Sequence, residues 1–129
     1  MDLYHVWCNL RPGVSDTEFA DRVAAYLGYL REQDKLVGYR ITRRKLGLGP
    51  RMLGEFHVMI ETRDLAQLDE AFRGASERSA PIESLHAAVN QSAENLTFAL
   101  YRDFPDAHRR RGEEEFPVVP STPGRGAPR

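Results

Sequence analysis

The order of its hydrophobic repeats constrains the fold of this chain more than any other feature. Apolar residues recur at every second position in four segments and at every third or fourth position in three others, which are the periods of strands and helices. In chain order the segments read strand, helix, strand, strand, helix, helix, strand. They cover residues 3–10, 15–34, 37–46, 55–62, 64–75, 81–90 and 96–101. This order predicts a split βαβ arrangement with one extra helical segment, built on a four-stranded antiparallel sheet with its helices on one face.

Two capping signatures mark where the first two helices begin. Ser15 is followed by Glu18, and Asp64 is followed by Gln67, which is the spacing of a capping box. The residues expected to face the sheet are Phe19, Val23, Tyr26, Leu27 and Leu30 in the first helix, Leu65, Leu68, Phe72 and Ala75 in the second, and Ile82, Leu85 and Val89 in the third, which begins at Pro81. All three helices are therefore predicted to lay one apolar stripe on the sheet.

The first strand has two different faces. Side chains alternate along a strand, so one row holds Tyr4, Val6, Cys8 and Leu10, which is ordinary core. The opposite row holds His5, Trp7 and Asn9. A titratable ring, an indole and an amide suit neither a dry core nor a plain water-facing surface, so this second row predicts a functional or interface face.

Composition excludes several classes of partner. The 129 residues include 18 basic and 19 acidic ones, with a net charge of −1, which argues against a dedicated binder of nucleic acid or of acidic membranes. No apolar run approaches the length of a membrane span and the chain starts without a basic leader, so no membrane association is expected. Cys8 is the only cysteine, and a cytoplasmic protein with a buried thiol is predicted.

The length predicts one domain followed by an extension. Residues 1–104 carry the strand and helix patterns, whereas residues 105–129 are first dense in charge and then rich in proline and glycine. Such a composition buries too little apolar area to offset the entropy of ordering it. The extension is therefore expected to be mobile and to add nothing to the core.

The predicted topology leaves one face of the sheet without helices. The first and third strands become central neighbours, which places His5 and Trp7 beside His57 and Met59 on that face, and the edge strands add further side chains. Those edge residues are Arg40, Arg44 and Tyr101. A patch containing Trp7, Met59 and Tyr101 is costly to leave in water. A second copy related by a two-fold axis would cover it, so a homodimer enclosing a cavity is predicted.

The element order and this mixed face resemble the ferredoxin-like dimeric α/β-barrel superfamily, in which two sheets pack face to face around a central cavity. Several runs look more closely like those of a bacterial family of uncharacterised proteins, and the likeness spans roughly residues 1–116. The runs cover residues 3–9, 42–50, 54–58, 85–90 and 98–105. The resemblance implies a ferredoxin-like α+β fold and a dimeric barrel. It implies no particular activity, because barrel relatives include cofactor-independent monooxygenases, isomerases, dehydratases and haem-binding proteins, and none of their catalytic motifs is present.

The main functional hypothesis is acid–base chemistry on a small polar or anionic molecule, without a cofactor. His5 and His57 are the candidate catalytic residues, because an imidazole exchanges protons near neutral pH. The candidate substrate-binding residues are Trp7, Asn9, Arg40, Arg44, Met59, Tyr101, His86 and Asn90. His86 and Asn90 share one face of the third helix, either capping the cavity or bonding to a neighbouring loop.

Three alternatives stay open at this point. The first is a purely structural or ligand-binding dimer in which the histidines are only hydrogen-bonded members of the interface. A second is a divalent metal held by His5, His57 and Glu55, a donor set that suits such an ion. An RNA-binding sheet is the third and is disfavoured, because residues 54–60 lack the glycine and aromatic pattern that stacks bases.

Overall fold

The structure is a computed structural model that describes residues 1–78 and 80–106. Four strands and three helices follow in the predicted order. They are β1 (Asp2–Leu10), α1 (Asp16–Glu32), β2 (Gly38–Arg43), β3 (Phe56–Thr62), α2 (Leu65–Glu77), α3 (Ile82–Ser92) and β4 (Ala93–Arg102). Most of the predicted extension, from residue 107 onward, lies outside the described residues.

The sheet has the predicted topology. Its strand order is β2-β3-β1-β4, and all neighbouring pairs are antiparallel. The prediction of a ferredoxin-like α+β fold with central first and third strands is confirmed. Residues directly opposite each other in this ladder share a face, so the register fixes which side chains meet. Trp7 lies opposite His57, and His5 lies opposite Met59.

The core lies between the helices and one face of the sheet. Cys8, Phe56 and Val58 from the sheet are buried against Phe19 and Val23 of α1, together with residues of the other helices. The rings of Phe19 and Phe56 meet edge to face with centroids 5.3 Å apart. The helices therefore cover the row that contains Cys8, and the row that contains His5 and Trp7 faces away from them.

The first helix begins as predicted, because the Ser15 side chain accepts a hydrogen bond from the Glu18 N–H. The inward face of α2 was predicted wrongly in part. Leu68 is buried and Phe72 contacts the sheet through the ring of Tyr4, with centroids 5.2 Å apart, but Leu65 is 48% exposed. The buried residues of this helix are Gln67, Leu68, Ala71 and Gly74. Gln67 turns inward because both ends of its amide are satisfied, by the Arg63 N–H and by the Asp34 carbonyl.

The second strand is shorter than the alternating pattern predicted. It ends at Arg43, so Arg44 does not belong to the outward row of the sheet. The Arg44 guanidinium instead donates to the carbonyls of Pro50 and Leu53, at 2.8 and 2.6 Å, and braces the loop between β2 and β3. The alternation of polar and apolar residues continues past the last paired residue, which is why the pattern overran the strand.

The junction between α3 and β4 also differs from the prediction. The third helix was predicted to end at residue 90 and the last strand to start at residue 96, but the helix continues to Ser92 and the strand starts at Ala93. The pairing of β1 with β4 shifts register between Trp7 and Asn9, and Asn95 has a φ of +56° nearby. A bulge of this kind breaks the period of two, so the sequence pattern missed the first residues of the strand.

Within the described residues, no helix combines the length and the apolar composition that crossing a membrane requires.

Candidate functional site

The sheet face without helices, called the open face below, carries a directly bonded pair of histidines. His5 Nδ1 and His57 Nε2 are 2.8 Å apart, which is hydrogen-bonding distance. The two residues are diagonal neighbours on adjacent strands, because His57 lies opposite Trp7 and His5 lies opposite Met59. The pair was predicted to lie close together from the topology, and the structure brings its ring nitrogens into contact.

Aromatic packing holds both imidazoles in place. Trp7 stacks on His57 with centroids 4.6 Å apart and on His5 at 5.6 Å, and the planes differ by only 8° and 14°. The ring of Tyr101 meets His5 edge on at 5.1 Å. Such contacts contribute about 0.5–1.5 kcal/mol each beyond their area. The pair is therefore held by its neighbours rather than free to rotate on a wet surface.

The hydrogen bonds around the pair specify which nitrogen carries each proton. Thr42 Oγ1 donates to the His57 carbonyl at 3.3 Å and lies 3.3 Å from His57 Nδ1, so this nitrogen is assigned as a donor to Thr42. His57 Nε2 is then an acceptor for His5 Nδ1–H. This assignment leaves the lone pair of His5 Nε2 without a hydrogen bond. That atom is buried and has no hydrogen-bond partner among the residues that the structure describes.

Both imidazoles are shifted toward the neutral form. Burial lowers the pKa of His5 below its ordinary value of 6.5, because desolvation disfavours the charged ring. The pKa of His57 is lowered by burial and then by the charge of His5. At neutral pH both rings are uncharged, which agrees with a bond from one neutral ring to the other.

The other residues predicted for this face have separate roles. Met59 is half-buried beside His5, and Arg40, opposite Met59, is exposed and makes no ion pair with the described residues. Asn9 Oδ1 accepts from the Glu55 N–H at 2.9 Å and fixes the start of β3 against β1. Arg44 lies in the loop and not on this face.

No group of three histidine, cysteine or carboxylate side chains suited to a metal is present in the described part of the chain. The metal alternative required Glu55 beside His5 and His57. Glu55 instead pairs with Arg43, with Arg43 Nε 2.5 Å from Glu55 Oε2. The three residues therefore do not form a ligand set.

The opposite face of the sheet contains a cavity that the sequence did not predict. It has a volume of about 210 Å³ and lies between the helices and the sheet. Its walls are almost entirely apolar and include Val6, Cys8, Val23 and Ala71. Exposed residues at one side mark its opening between α2, α3 and the edge strand β4. They are Phe72, His86, Asn90, Leu96 and Phe98.

His86 and Asn90 therefore belong to this helix-side cavity and not to the open face. The ring of His86 contacts that of Tyr26 with centroids 5.5 Å apart. Burial raises the pKa of Tyr26 and of Tyr4, and raises the pKa of the Cys8 thiol to about 11. Tyr4, Tyr26 and Cys8 are thus kept in their neutral forms at physiological pH.

Sequence reasoning missed two residues that matter to these sites. Thr42 was not among the predicted site residues, although it bonds to His57. Tyr26 was assigned to the apolar stripe of α1, although it lines the cavity beside His86. The pairing register of β2 on β3 could have located Thr42 beside His57. No sequence pattern could have located Tyr26, because its partner lies on a helix 60 residues later.

Solved structures with this fold include proteins from plants and bacteria. The Arabidopsis thaliana protein At3g17210 superimposes with a TM-score of 0.63 at 9% identity, covering 80% of this chain and 95% of that one. A variant of SnoaB, a cofactor-independent oxygenase from Streptomyces nogalater, has a TM-score of 0.59 at 10% identity, with coverage of 84% and 98%. A dimeric ferredoxin-like protein of unknown function from Jannaschia sp. CCS1 has a TM-score of 0.59 at 14% identity, with coverage of 80% and 100%.

At these identities the likeness establishes the fold alone. Curated proteins gave no match to the sequence. A family model, described as a family of unknown function, matches residues 1–116. This match includes every strand and helix of the described residues and both candidate sites, so the chain belongs to the DUF6614 family, whose function is unknown.

Proposed function

We propose that the protein binds a small, mainly apolar organic molecule in the helix-side cavity. The cavity itself carries this proposal. At about 24 cal/mol per Å³, an empty enclosed void of 210 Å³ would cost about 5 kcal/mol, and the opening makes that figure an upper bound. A typical domain has a total stability of only about 5–15 kcal/mol. Because the cavity opens to solvent, a bound apolar molecule would cover its apolar walls and remove them from water.

The lining indicates the class of ligand. An engineered apolar cavity of about 150 Å³ takes up benzene, so a volume of 210 Å³ suits a small ring or a short chain. The polar groups His86, Asn90 and Tyr26 belong to the lining, and His86 and Asn90 are exposed. A ligand with an apolar body and one polar group would place that group at the opening, where these side chains can bond to it.

Filling the cavity tests this proposal. Ala71 lines the cavity and is 9% exposed, so Ala71→Leu would place three more carbon atoms inside it. Ala24 is exposed on α1, which makes Ala24→Leu the matched control. With benzene, indole and hexanoic acid as probes, we expect chemical-shift changes in cavity residues of the wild type and of Ala24→Leu, and a loss of at least tenfold in affinity in Ala71→Leu. Equal binding by both variants would exclude the cavity as the site.

The open face supports self-association. Trp7, Met59 and Tyr101 lie together there without helical cover, and Tyr101 is 62% exposed. Contiguous apolar surface of this kind usually marks an interface. At least one protein of this fold is described as dimeric. The homodimer predicted from the sequence would bury these residues between two facing sheets.

The histidine pair favours a second candidate function, in which the paired open faces hold a small polar or anionic molecule. The supporting observation is the buried, unpartnered His5 Nε2, an acceptor that a partner or ligand hydrogen could satisfy. The Arg40 guanidinium is free to hold an anion on the same face. His5 would act as base toward the ligand and His57 would fix its tautomer, which is chemistry that uses only the chain's own groups.

Native mass spectrometry of freshly purified protein separates the two candidates. A retained molecule in the wild type that is lost in Ala71→Leu but kept in His5→Ala supports the cavity. A molecule lost in His5→Ala and His57→Ala while the dimer persists supports the open face. A dimer that retains nothing and releases no bound compound on denaturation would indicate a purely structural interface.

Single-stranded RNA binding at low salt would instead support the disfavoured nucleic-acid alternative.

A further inference from the structure

We infer that self-association through the open face is reversed by mild acid, with the His5–His57 pair as the sensor. This inference rests on the proposed pairing of open faces and is independent of which ligand the protein binds. It starts from the hydrogen bond between the two imidazoles. One ring donates and the other accepts across 2.8 Å, so the bond in its present form requires His57 Nε2 to be unprotonated.

The first added proton has only one available position that keeps this bond. His57 Nε2 accepts from His5, and His57 Nδ1 already faces Thr42. The proton therefore goes to His5 Nε2, which is buried without an acceptor. A second proton, on His57 Nε2, would set two N–H groups against each other and break the pair. Both steps place positive charge where the fold supplies no partner for it.

The charged groups around the pair offer little compensation. Besides the histidines, β1 contributes no titratable residue to this face, β2 contributes Arg40 and β3 contributes Glu61. The edge strand β4 contributes Tyr101 and, opposite Asn9, Glu94. Arg40 lies on the same rung of the sheet as His5, with Met59 between them, whereas Glu61 lies one rung further on. Arg40 and Glu61 offset each other at neutral pH, and Glu94 lies two rungs from His5 on the edge strand. Each proton taken up by the pair therefore adds positive charge with which no described carboxylate forms an ion pair.

Pairing two open faces about a two-fold axis doubles the positive charge that the protonated histidines would bring into the interface. An interface of this symmetry places the same patch on both sides, so two copies bring four imidazoles into one buried region, together with Arg40 and Glu61 of each copy. Like charges in a water-poor region repel strongly. Neutral rings carry no such penalty, and their stacking on Trp7 gives the face an aromatic surface that another copy can cover.

The direction of the effect follows from linkage. Burial lowers the pKa of both histidines in the folded chain, and a further loss of solvent on pairing acts in the same direction. The separated subunits therefore bind more protons than the dimer. Association is strongest above the pKa that the two histidines have in the separated subunits, which burial already holds below 6.5, and weakens as the pH falls through that pKa.

Sedimentation equilibrium of the full chain at constant ionic strength, between pH 8.0 and 5.5, tests this inference. We expect the dimer dissociation constant to rise at least tenfold across that range in the wild type. Glu83→Gln is the control, because Glu83 is an exposed titratable residue of α3 on the helix side and belongs to neither site, and it should behave like the wild type. The double variant His5→Gln/His57→Gln should lose most of the pH dependence.

The outcomes separate this inference from the proposals on which it rests. A dimer of equal strength at every pH, or full pH dependence in the double variant, would overturn the sensor while leaving the pairing intact. A monomer at every pH would overturn the pairing and the sensor together, but not the cavity. If the double variant does not associate at all, the inference is tested in the wild type by measuring the pKa values of its imidazoles by NMR. The pKa values of His5 and His57 must then be lower in concentrated, dimeric samples than in dilute ones.

Discussion

The two faces of this sheet differ in kind, because one borders a cavity and the other carries a pair of titratable side chains. The helix-covered face holds a cavity of about 210 Å³ with almost purely apolar walls. The open face holds the bonded histidines, the stacked indole and Arg40, which forms no ion pair with the described residues. The strand β1 contributes to both faces, because its successive side chains point to opposite sides of the sheet. The residues that look most reactive in a sequence and the space that could hold a ligand can thus lie on opposite sides of one sheet.

The largest expected difference between the faces is in their contribution to stability. Phe19→Ala removes a ring that is 1% exposed and should lower the free energy of unfolding by about 3–5 kcal/mol. Tyr101→Ala removes a ring that is 62% exposed and should cost less than about 1 kcal/mol in the monomer. Urea denaturation at low protein concentration measures both. Similar losses would contradict the assignment of the core to the helix-covered face alone.

Association should show the reverse asymmetry. Met59→Glu places a carboxylate in the middle of the open face, and burying that charge between two copies should weaken the dimer at least about 100-fold. Phe72→Glu introduces the same charge on the helix side, at a residue that is 44% exposed, and should leave the dissociation constant unchanged. Analytical ultracentrifugation compares the two. Dissociation caused by Phe72→Glu alone would move the interface to the other face.

The smallest effect should come from the hydrogen bond that fixes the His57 tautomer. Thr42→Val removes the oxygen beside His57 Nδ1 at nearly constant volume, and should lower stability by about 1 kcal/mol. The ¹⁵N shifts of His57 should change at the same time, because its Nδ1 proton loses its acceptor. Thr97→Val is the control on the same face, since Thr97 lies opposite Trp7 on β4. Unchanged His57 shifts in Thr42→Val would contradict the tautomer assignment.

Local patterns were sufficient for the fold and for half of the candidate site. The alternation in β1 and β3 placed His5, Trp7, His57 and Met59 on one face, because a period of two leaves no freedom once one face is core. The same reasoning failed where pairing, not alternation, sets the limits of a strand. Arg44 continues the pattern of β2 but lies beyond its last paired residue, and the bulge near Asn95 hides the start of β4.

The helix-side cavity was beyond sequence reasoning. Tyr26, Ala71 and His86 belong to three helices whose distances from the sheet depend on how all their side chains pack. The sequence does not show whether the side chains around a small residue such as Ala71 pack against it or leave a cavity beside it. The placement of His86 and Asn90 at the mouth of this cavity, away from the histidine pair, is a consequence of that packing.

The sequence by itself determined the order of strands and helices, the face on which each strand residue lies and therefore the identity of the open face, because these depend on periods of two and 3.6 residues that are local properties of the chain. Only the tertiary structure decided that two of the histidines touch, that a third lines a separate cavity, and where that cavity is. Contact distances and empty volume depend on residues far apart in the chain, and no local period encodes them.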